Sequence, residues 1–167
     1  MQPLDANRME EGGGEGATHP AGVARHGEGE GDGARADAVA LPRGLPGFPD
    51  ARGFHLEELP RCGGRFLLMR LIADEPASLI VMPAEPEALP LAAADIAEVR
   101  GALEIAPEDL CLLLVVTLAR EEGEEGVRAF VNLRAPVFLD TRRRIAVQVV
   151  LADSRYPLRH PLQRRAA

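Results

Sequence analysis

The longest apolar run of the chain lies at residues 110–118 and reads LCLLLVVTL. It is too short to cross a bilayer and ends in β-branched residues, so we expect a central β-strand. Shorter strand-like runs surround it, at residues 39–41, 54–59, 66–72, 79–82, 127–133, 137–140 and 145–151. Only residues 92–103 suggest a helix, because Ile96, Val99 and Leu103 recur at helical spacing. Seven or eight short strands joined mostly by tight turns predict an antiparallel sandwich or a small barrel.

The first 36 residues differ in composition from the rest. They hold nine of the 17 glycines and almost no large apolar side chain. Such a segment cannot bury enough surface to offset backbone ordering, which costs about 1–2 kcal/mol per residue. We therefore expect a disordered tail over residues 1–36, a folded domain over 37–163 and a short tail over 164–167.

Charge is distributed unevenly along the chain. The net charge is -7, yet residues 140–167 carry seven arginines against two acidic residues. The acidic body argues against nucleic-acid binding, which depends on neutralising phosphates. The arginine-rich end leaves one alternative open, a small β-barrel that binds RNA itself. The low aromatic content of 4% counts against that alternative, because single-strand binders stack bases on aromatic rings.

Residues with catalytic or metal-binding chemistry are sparse. The four histidines are scattered, and Cys62 and Cys111 are too few for a four-ligand zinc site or a disulfide scaffold. We interpret both cysteines as buried thiols in a reducing compartment. No phosphate-binding glycine loop or Gly-x-Ser-x-Gly motif occurs. The sequence predicts a binding protein without cofactor or metal rather than an enzyme. The sequence shows neither a secretory signal nor an apolar run long enough to span a membrane. We therefore expect a cytoplasmic protein with no membrane association.

Three segments, in this order, resemble the FliW family of bacterial flagellar assembly factors. They read GLPGF at residues 44–48, NLRAPV at 132–137 and DSRYPLRHPL at 153–162. The likeness runs from about Val39 to Leu162. It implies a mainly β, small antiparallel β-barrel-like domain with one short α-helix. It also implies a non-enzymatic cytoplasmic protein, monomeric when free. Such a protein binds flagellin before export and, once freed, binds the translational repressor CsrA. CsrA is bound away from its RNA surface, which relieves repression of flagellin translation.

The same segments supply the candidate partner-binding residues. These are Gly44, Leu45, Pro46, Gly47, Phe48, Asn132, Arg155, Tyr156, Arg159 and His160. Exposed apolar residues between Leu79 and Met82 are further candidates, although core burial is the favoured interpretation for most of them.

Each candidate segment also has a structural interpretation. The Gly44–Phe48 segment can be a turn in which Gly47 takes a positive φ and Phe48 plugs the barrel end. Asn132 can bond to backbone at a strand end. Arg155 can pair with an aspartate, Asp153 or Asp140 being the candidates. Tyr156 can bury its ring while its hydroxyl finds a polar partner.

Two local expectations concern the ends of the folded part. Family members usually open with an apolar-alternating strand, but here residues 27–31 read GEGEG. Glycine weakens strand interiors, so we expect this first strand to be frayed or absent. Near the other end, Pro157 and Pro161 are expected to hold the chain extended along the barrel wall rather than in the sheet.

Overall fold

The computed structural model describes residues 23–24, 37–84, 89–120, 126–152 and 155–162. These residues form a mainly β domain with one α-helix, α1 (Ala93–Ala102), as the sequence predicts. The strands are β1 (Val23–Ala24), β2 (Val39–Ala40), β3 (Gly53–Glu58), β4 (Leu67–Ile72), β5 (Ser78–Pro83), β6 (Leu110–Ala119), β7 (Arg128–Val131), β8 (Val137–Asp140), β9 (Ile145–Gln148) and β10 (His160–Pro161). A 3-10 turn, Pro107–Asp109, leads into β6. Within the part of the chain described here, no helix has the length and apolarity needed to cross a membrane.

Seven strands close into a ring in the order β5-β4-β3-β2-β9-β8-β6, with β6 returning to β5. Neighbours in the ring run antiparallel except β2 and β9, which pair in parallel at Ala40 and Ile145. Closure satisfies the strand edges that an open sheet would leave exposed. The ten residues of β6 pair with β8, β5 and β7 in succession, so this strand is central, as expected.

The residues of β6 alternate between two hydrophobic clusters. Leu113 joins the cluster inside the barrel, together with Phe54 and Met69. Leu112 and Leu114 face the other way and join an outer cluster. Both faces of this strand are thus covered, which explains why its sequence is apolar throughout instead of alternating with polar residues.

Helix α1 covers the outer cluster. Ile96 is buried there, and Val99 and Leu103 pack against the same cluster. The helix ends in a C-capping motif. Glu104 takes a φ of +54°, and the Ile105 N–H donates to the Arg100 carbonyl at 3.1 Å. The helix occupies the stretch predicted for it, with Ala92 and Leu103 as its caps.

Three details differ from the sequence-based expectations. Strand β9 ends at Gln148 rather than at residue 151. The prediction that the terminal segment stays outside the sheet is wrong, because His160–Pro161 pair with β7. An edge strand tolerates Pro161, since its missing N–H can be placed on the unpaired side. Val23–Ala24 pair with β5 inside the segment predicted to be disordered, whereas the glycine-rich residues 27–31 lie outside the described residues.

Candidate partner-binding surface

Residues 155–162, the terminal segment, contact the start of helix α1. The side chains of Arg155 and Tyr156 bind Asp95 of the helix, and we call these three residues the Asp95 cluster. The Tyr156 hydroxyl donates to Asp95 Oδ2 at 2.6 Å and accepts the Ala92 N–H at 3.1 Å. Ala92, the N-cap residue, has no polar side chain to accept the N–H groups of the first turn, and its own free N–H is accepted by a hydroxyl 64 residues further along. The ring of Tyr156 is buried and its hydroxyl bonded, as the structural interpretation predicts.

Arg155 completes the Asp95 cluster from the protein surface. Its Nη2 donates to Asp95 Oδ2 at 2.6 Å. The hydrogen bond from Tyr156 holds the pKa of Asp95 below its usual value, and the Arg155 guanidinium adds to the effect. Asp140, expected as a partner of Arg155, instead accepts the Arg143 N–H at 2.7 Å; Asp153 lies outside the described residues.

Asn132 shapes the connection between β7 and β8. Its Oδ1 accepts the N–H groups of Arg134 and Ala135, both at 3.0 Å, which confirms that Asn132 bonds to backbone at a strand end. The same connection contacts the terminal segment, because the Leu133 N–H donates to the Pro157 carbonyl at 3.1 Å. The structure therefore brings Asn132 and the terminal candidates together.

Arg159 and His160 follow directly along this surface. The Arg159 guanidinium stacks over the Phe130 ring, 4.5 Å from its centroid, while the side chain stays exposed. His160 is half-buried in β10 opposite Val131. Arg159 is thus held in place by an aromatic ring and still open to a partner.

The Gly44–Phe48 loop lies on the other hydrophobic cluster. Leu45 and Phe48 bond to each other through both backbone pairs, at 3.0 and 2.7 Å, and Leu45 is buried in the barrel interior. Gly44 and Gly47 have φ values of +62° and +88°, which glycine adopts without strain. The predicted turn is confirmed, and Phe48 packs partly against the barrel core. Pro46 and Gly47 are the exposed residues of this loop.

The strand at Leu79–Met82 serves the core, as the favoured interpretation holds. Leu79, Val81 and Met82 are buried, and Ile80 is half-buried. The strongly exposed apolar side chains lie elsewhere, at Val150 (62%) and Leu158 (63%), which the sequence reasoning did not single out. It also missed Asp95, because nothing in a helix pattern signals a partner 60 residues away.

The two cavities found in the described part of the chain lie away from the candidate residues. One cavity of about 230 Å³ lies between Asp37, Leu56 and Arg144. A smaller one of about 50 Å³ lies between Leu103, Phe138 and other residues at the end of α1. Neither is lined by a candidate residue, and no three His, Cys, Asp or Glu side chains of the described part converge on a possible metal position. Cys62 and Cys111 are free thiols that are half-buried, not buried as expected from the sequence, and desolvation raises the pKa of the Cys111 thiol.

Comparison with known families decides the identity of the fold. A family model described as FliW protein matches residues 23–162. This chain belongs to the FliW family. The match begins at Val23, earlier than the resemblance noted from Val39, and so it includes the strand β1 that pairs with β5.

Individual FliW relatives cover most of the same region. A flagellar assembly factor FliW from Geotalea uraniireducens is 33% identical over 124 residues, covering 74% of this chain and 72% of the relative. A flagellar assembly factor FliW from Symbiobacterium thermophilum is 32% identical over 123 residues, covering 73% of this chain and 86% of the relative. A crystal structure of the flagellar assembly factor FliW superposes with a TM-score of 0.59 at 22% identity, covering 87% of this chain and all of that one. The FliW fold is therefore present throughout the described barrel.

Proposed function

We propose that this FliW-family chain is a cytoplasmic flagellar assembly factor that binds flagellin before export. When flagellin leaves the cell, the freed protein binds and antagonises CsrA, which relieves repression of flagellin translation. Membership of the FliW family over residues 23–162 carries this proposal. The protein acts by docking and release, not by catalysis, and is a monomer when free.

The charge of the chain suggests how it weakens RNA binding by CsrA. The net charge is -7, and exposed carboxylates include Glu58 on β3 and Glu98 on α1. Each unit charge pair at about 10 Å in a surface setting is worth about 0.4–0.8 kcal/mol before salt screening. Several such pairs between carboxylates and RNA phosphates lower RNA affinity by about tenfold. No overlap with the RNA surface of CsrA is needed for this effect.

The contacts of the Arg142–Arg144 turn argue against the alternative of direct RNA binding. Arg143 lies 3.4 Å from the buried Asp140 carboxylate and donates to the Glu104 carbonyl at 2.7 Å. Arg144 Nη1 lies 3.5 Å from Asp37 Oδ1. Two of these three arginines therefore already neutralise carboxylates of the chain itself, which leaves less positive charge for phosphate.

A gel shift with purified components tests the proposal. The full chain alone should leave an RNA fragment carrying a CsrA site unretarded. Added to a CsrA–RNA complex, it should abolish the retarded band, and excess flagellin should restore that band. Retardation by the chain alone would favour the RNA-binding alternative. Failure to bind either protein in a direct titration would refute the proposed function. If the chain displaced RNA from CsrA equally well at low and at high salt, the electrostatic contribution would be refuted but the rest of the proposed function would stand.

A further inference from the structure

The larger cavity, of about 230 Å³, joins the barrel interior to solvent. Val39, Leu56 and Leu139 form its apolar wall, and all three belong to the inner hydrophobic cluster or pack against it. The remaining lining residues are polar: Asp37 and Thr141, which are exposed, and Arg144, which is half-buried. The cavity is therefore apolar towards the core and polar at its opening.

The inner cluster is covered at one end of β3 and not at the other. Where β3 begins, Leu45 and Ala51 are both 2% exposed, whereas Leu56, further along the strand, is half-buried. Side chains normally fill the interior of a small barrel. An apolar cavity of about 150 Å³ is large enough to hold benzene. The space beside Leu56 is thus large enough for a branched aliphatic or aromatic group.

Two opposite charges stand at the opening of this cavity. Arg144 Nη1 lies 3.5 Å from Asp37 Oδ1, and Arg144 Nε donates to the Ala38 carbonyl at 3.3 Å. The Asp37 side chain is 86% exposed and that of Arg144 43%, so both are accessible to a ligand. A ligand with a single charge is attracted by one of the two groups and repelled by the other. A ligand that carries both charges close together is attracted by both groups.

We propose that this cavity, the barrel-mouth site, binds an apolar α-amino acid in its zwitterionic form. The side chain of the ligand packs against Leu56 and Leu139, its carboxylate accepts from the Arg144 guanidinium, and its ammonium donates to Asp37. An α-amino acid carries both charges next to the carbon that bears its side chain. Both charges therefore meet the opening while the side chain enters the cavity. The site is separate from the candidate partner-binding residues, and the inference does not depend on the proposed function.

Occupation of the barrel-mouth site should stabilise the contact between β2 and β9. Within the described ranges these two strands pair at a single position, Ala40 with Ile145. Asp37 precedes β2 and Arg144 precedes β9, so a ligand bound to both joins the two strands. A ligand that binds the folded state alone raises its stability. At about ten times its Kd, L-leucine should raise Tm by about 4–6 °C.

A titration of the full-length protein with L-leucine, followed by backbone amide NMR signals, tests the proposal. The signals of residues 39, 56 and 139 should shift, with a Kd on the order of 1 mM for a ligand of this size. Isoamylamine lacks the carboxylate and 4-methylpentanoate lacks the ammonium, while both keep the isobutyl group. Each should bind at least about fivefold more weakly than leucine, because one charged group at the opening then faces a like charge or no partner.

A blocked form of the ligand distinguishes a free amino acid from a residue within a peptide. N-acetyl-leucine amide keeps the side chain and the hydrogen-bonding groups but has neither charge. It should bind at least about fivefold more weakly than leucine. Binding as tight as that of leucine would overturn the proposal and show that the cavity accepts a side chain of a peptide.

Matched variants locate the binding site. Leu56→Trp places an indole in the cavity and should abolish the shifts, whereas Val150→Trp adds the same ring at an exposed position and should leave Kd unchanged. Arg144→Gln should raise Kd at least about fivefold, and Arg142→Gln, in the same turn, should change it less than about twofold. Unchanged leucine binding in Leu56→Trp or in Arg144→Gln would overturn the proposal.

Cys111 reports on the cavity without any change to its lining. Cys111 pairs with Leu139 across β6 and β8 and packs against the inner cluster, so both side chains lie on one face of the sheet. In the variant Cys62→Ser, saturating leucine should slow the modification of Cys111 by a small thiol reagent at alkaline pH at least about threefold. Modification of Cys62 in Cys111→Ser should keep its rate. Equal rates at Cys111 with and without leucine, or no amide shifts up to about 20 mM leucine, would refute the barrel-mouth site and leave the proposed function intact.

Discussion

Removal of one oxygen atom, by Tyr156→Phe, tests whether the Asp95 cluster stabilises the fold. The buried ring keeps its shape, so no cavity forms. The hydroxyl, however, no longer donates to Asp95 or accepts the Ala92 N–H. A hydrogen bond to a charged group contributes about 1.5–3 kcal/mol and a neutral one about 1 kcal/mol. The Asp95 side chain is 30% exposed, so water replaces part of the loss. We expect the free energy of unfolding to fall by about 2 kcal/mol.

Urea unfolding of the full chain measures this loss, and a double-mutant cycle with Asp95→Ala assigns it. The coupling energy between the two substitutions should be about 1–2 kcal/mol. Arg155→Gln is the matched control: it removes an exposed ion pair from the same carboxylate and should cost less than about 1 kcal/mol. Tyr156→Ala adds a cavity worth about 3–5 kcal/mol and should unfold the protein. A change below about 0.5 kcal/mol for Tyr156→Phe, or additive single effects, would refute the reasoning.

Three further predictions concern stability. The pKa of Asp95 is lower in the folded state than its value near 3.8 in the unfolded state. The carboxylate therefore contributes fully to stability above pH 3.8, and this contribution is lost as the pH falls through the pKa of the folded state. Asp95→Asn should therefore lower the free energy of unfolding, measured in urea between pH 2 and 6, by less as the pH falls. A loss that is the same at every pH would contradict this. Gly44→Ala places a Cβ 2.7 Å from a backbone oxygen at positive φ and should cost more than 2 kcal/mol, whereas Gly47→Ala meets open space and should cost about 1 kcal/mol. Equal thermal shifts for the two alanine variants would disprove the close approach. Asn132→Ala leaves two backbone N–H groups without their acceptor and should cost about 1–2 kcal/mol, while Asn132→Asp retains an acceptor and should lose less in the same denaturation assay.

Four of the ten candidate residues help to hold the fold together. Gly44, Leu45, Asn132 and Tyr156 make backbone turns or core contacts, and their part in partner binding stays a prediction. Arg159 differs, because it remains exposed on a stacked ring. A motif does not distinguish these two kinds of residue, since burial is a property of the assembled molecule.

The amino-acid sequence by itself determined the helix, strands β2 to β9 and the turns between many of them. Apolar periodicity and turn-forming residues act over a few positions, so the helix near Ile96 and the central strand at residues 110–118 were predictable. Tertiary structure alone decided which strands meet: the closing pair of β5 and β6, the parallel contact of β2 with β9, and Pro161 within the sheet. It also decided that Tyr156 and Arg155 bind Asp95 and that the Leu133 N–H donates to the Pro157 carbonyl. These contacts join residues far apart along the chain, and no local pattern encodes them because only closure of the barrel brings the residues within reach.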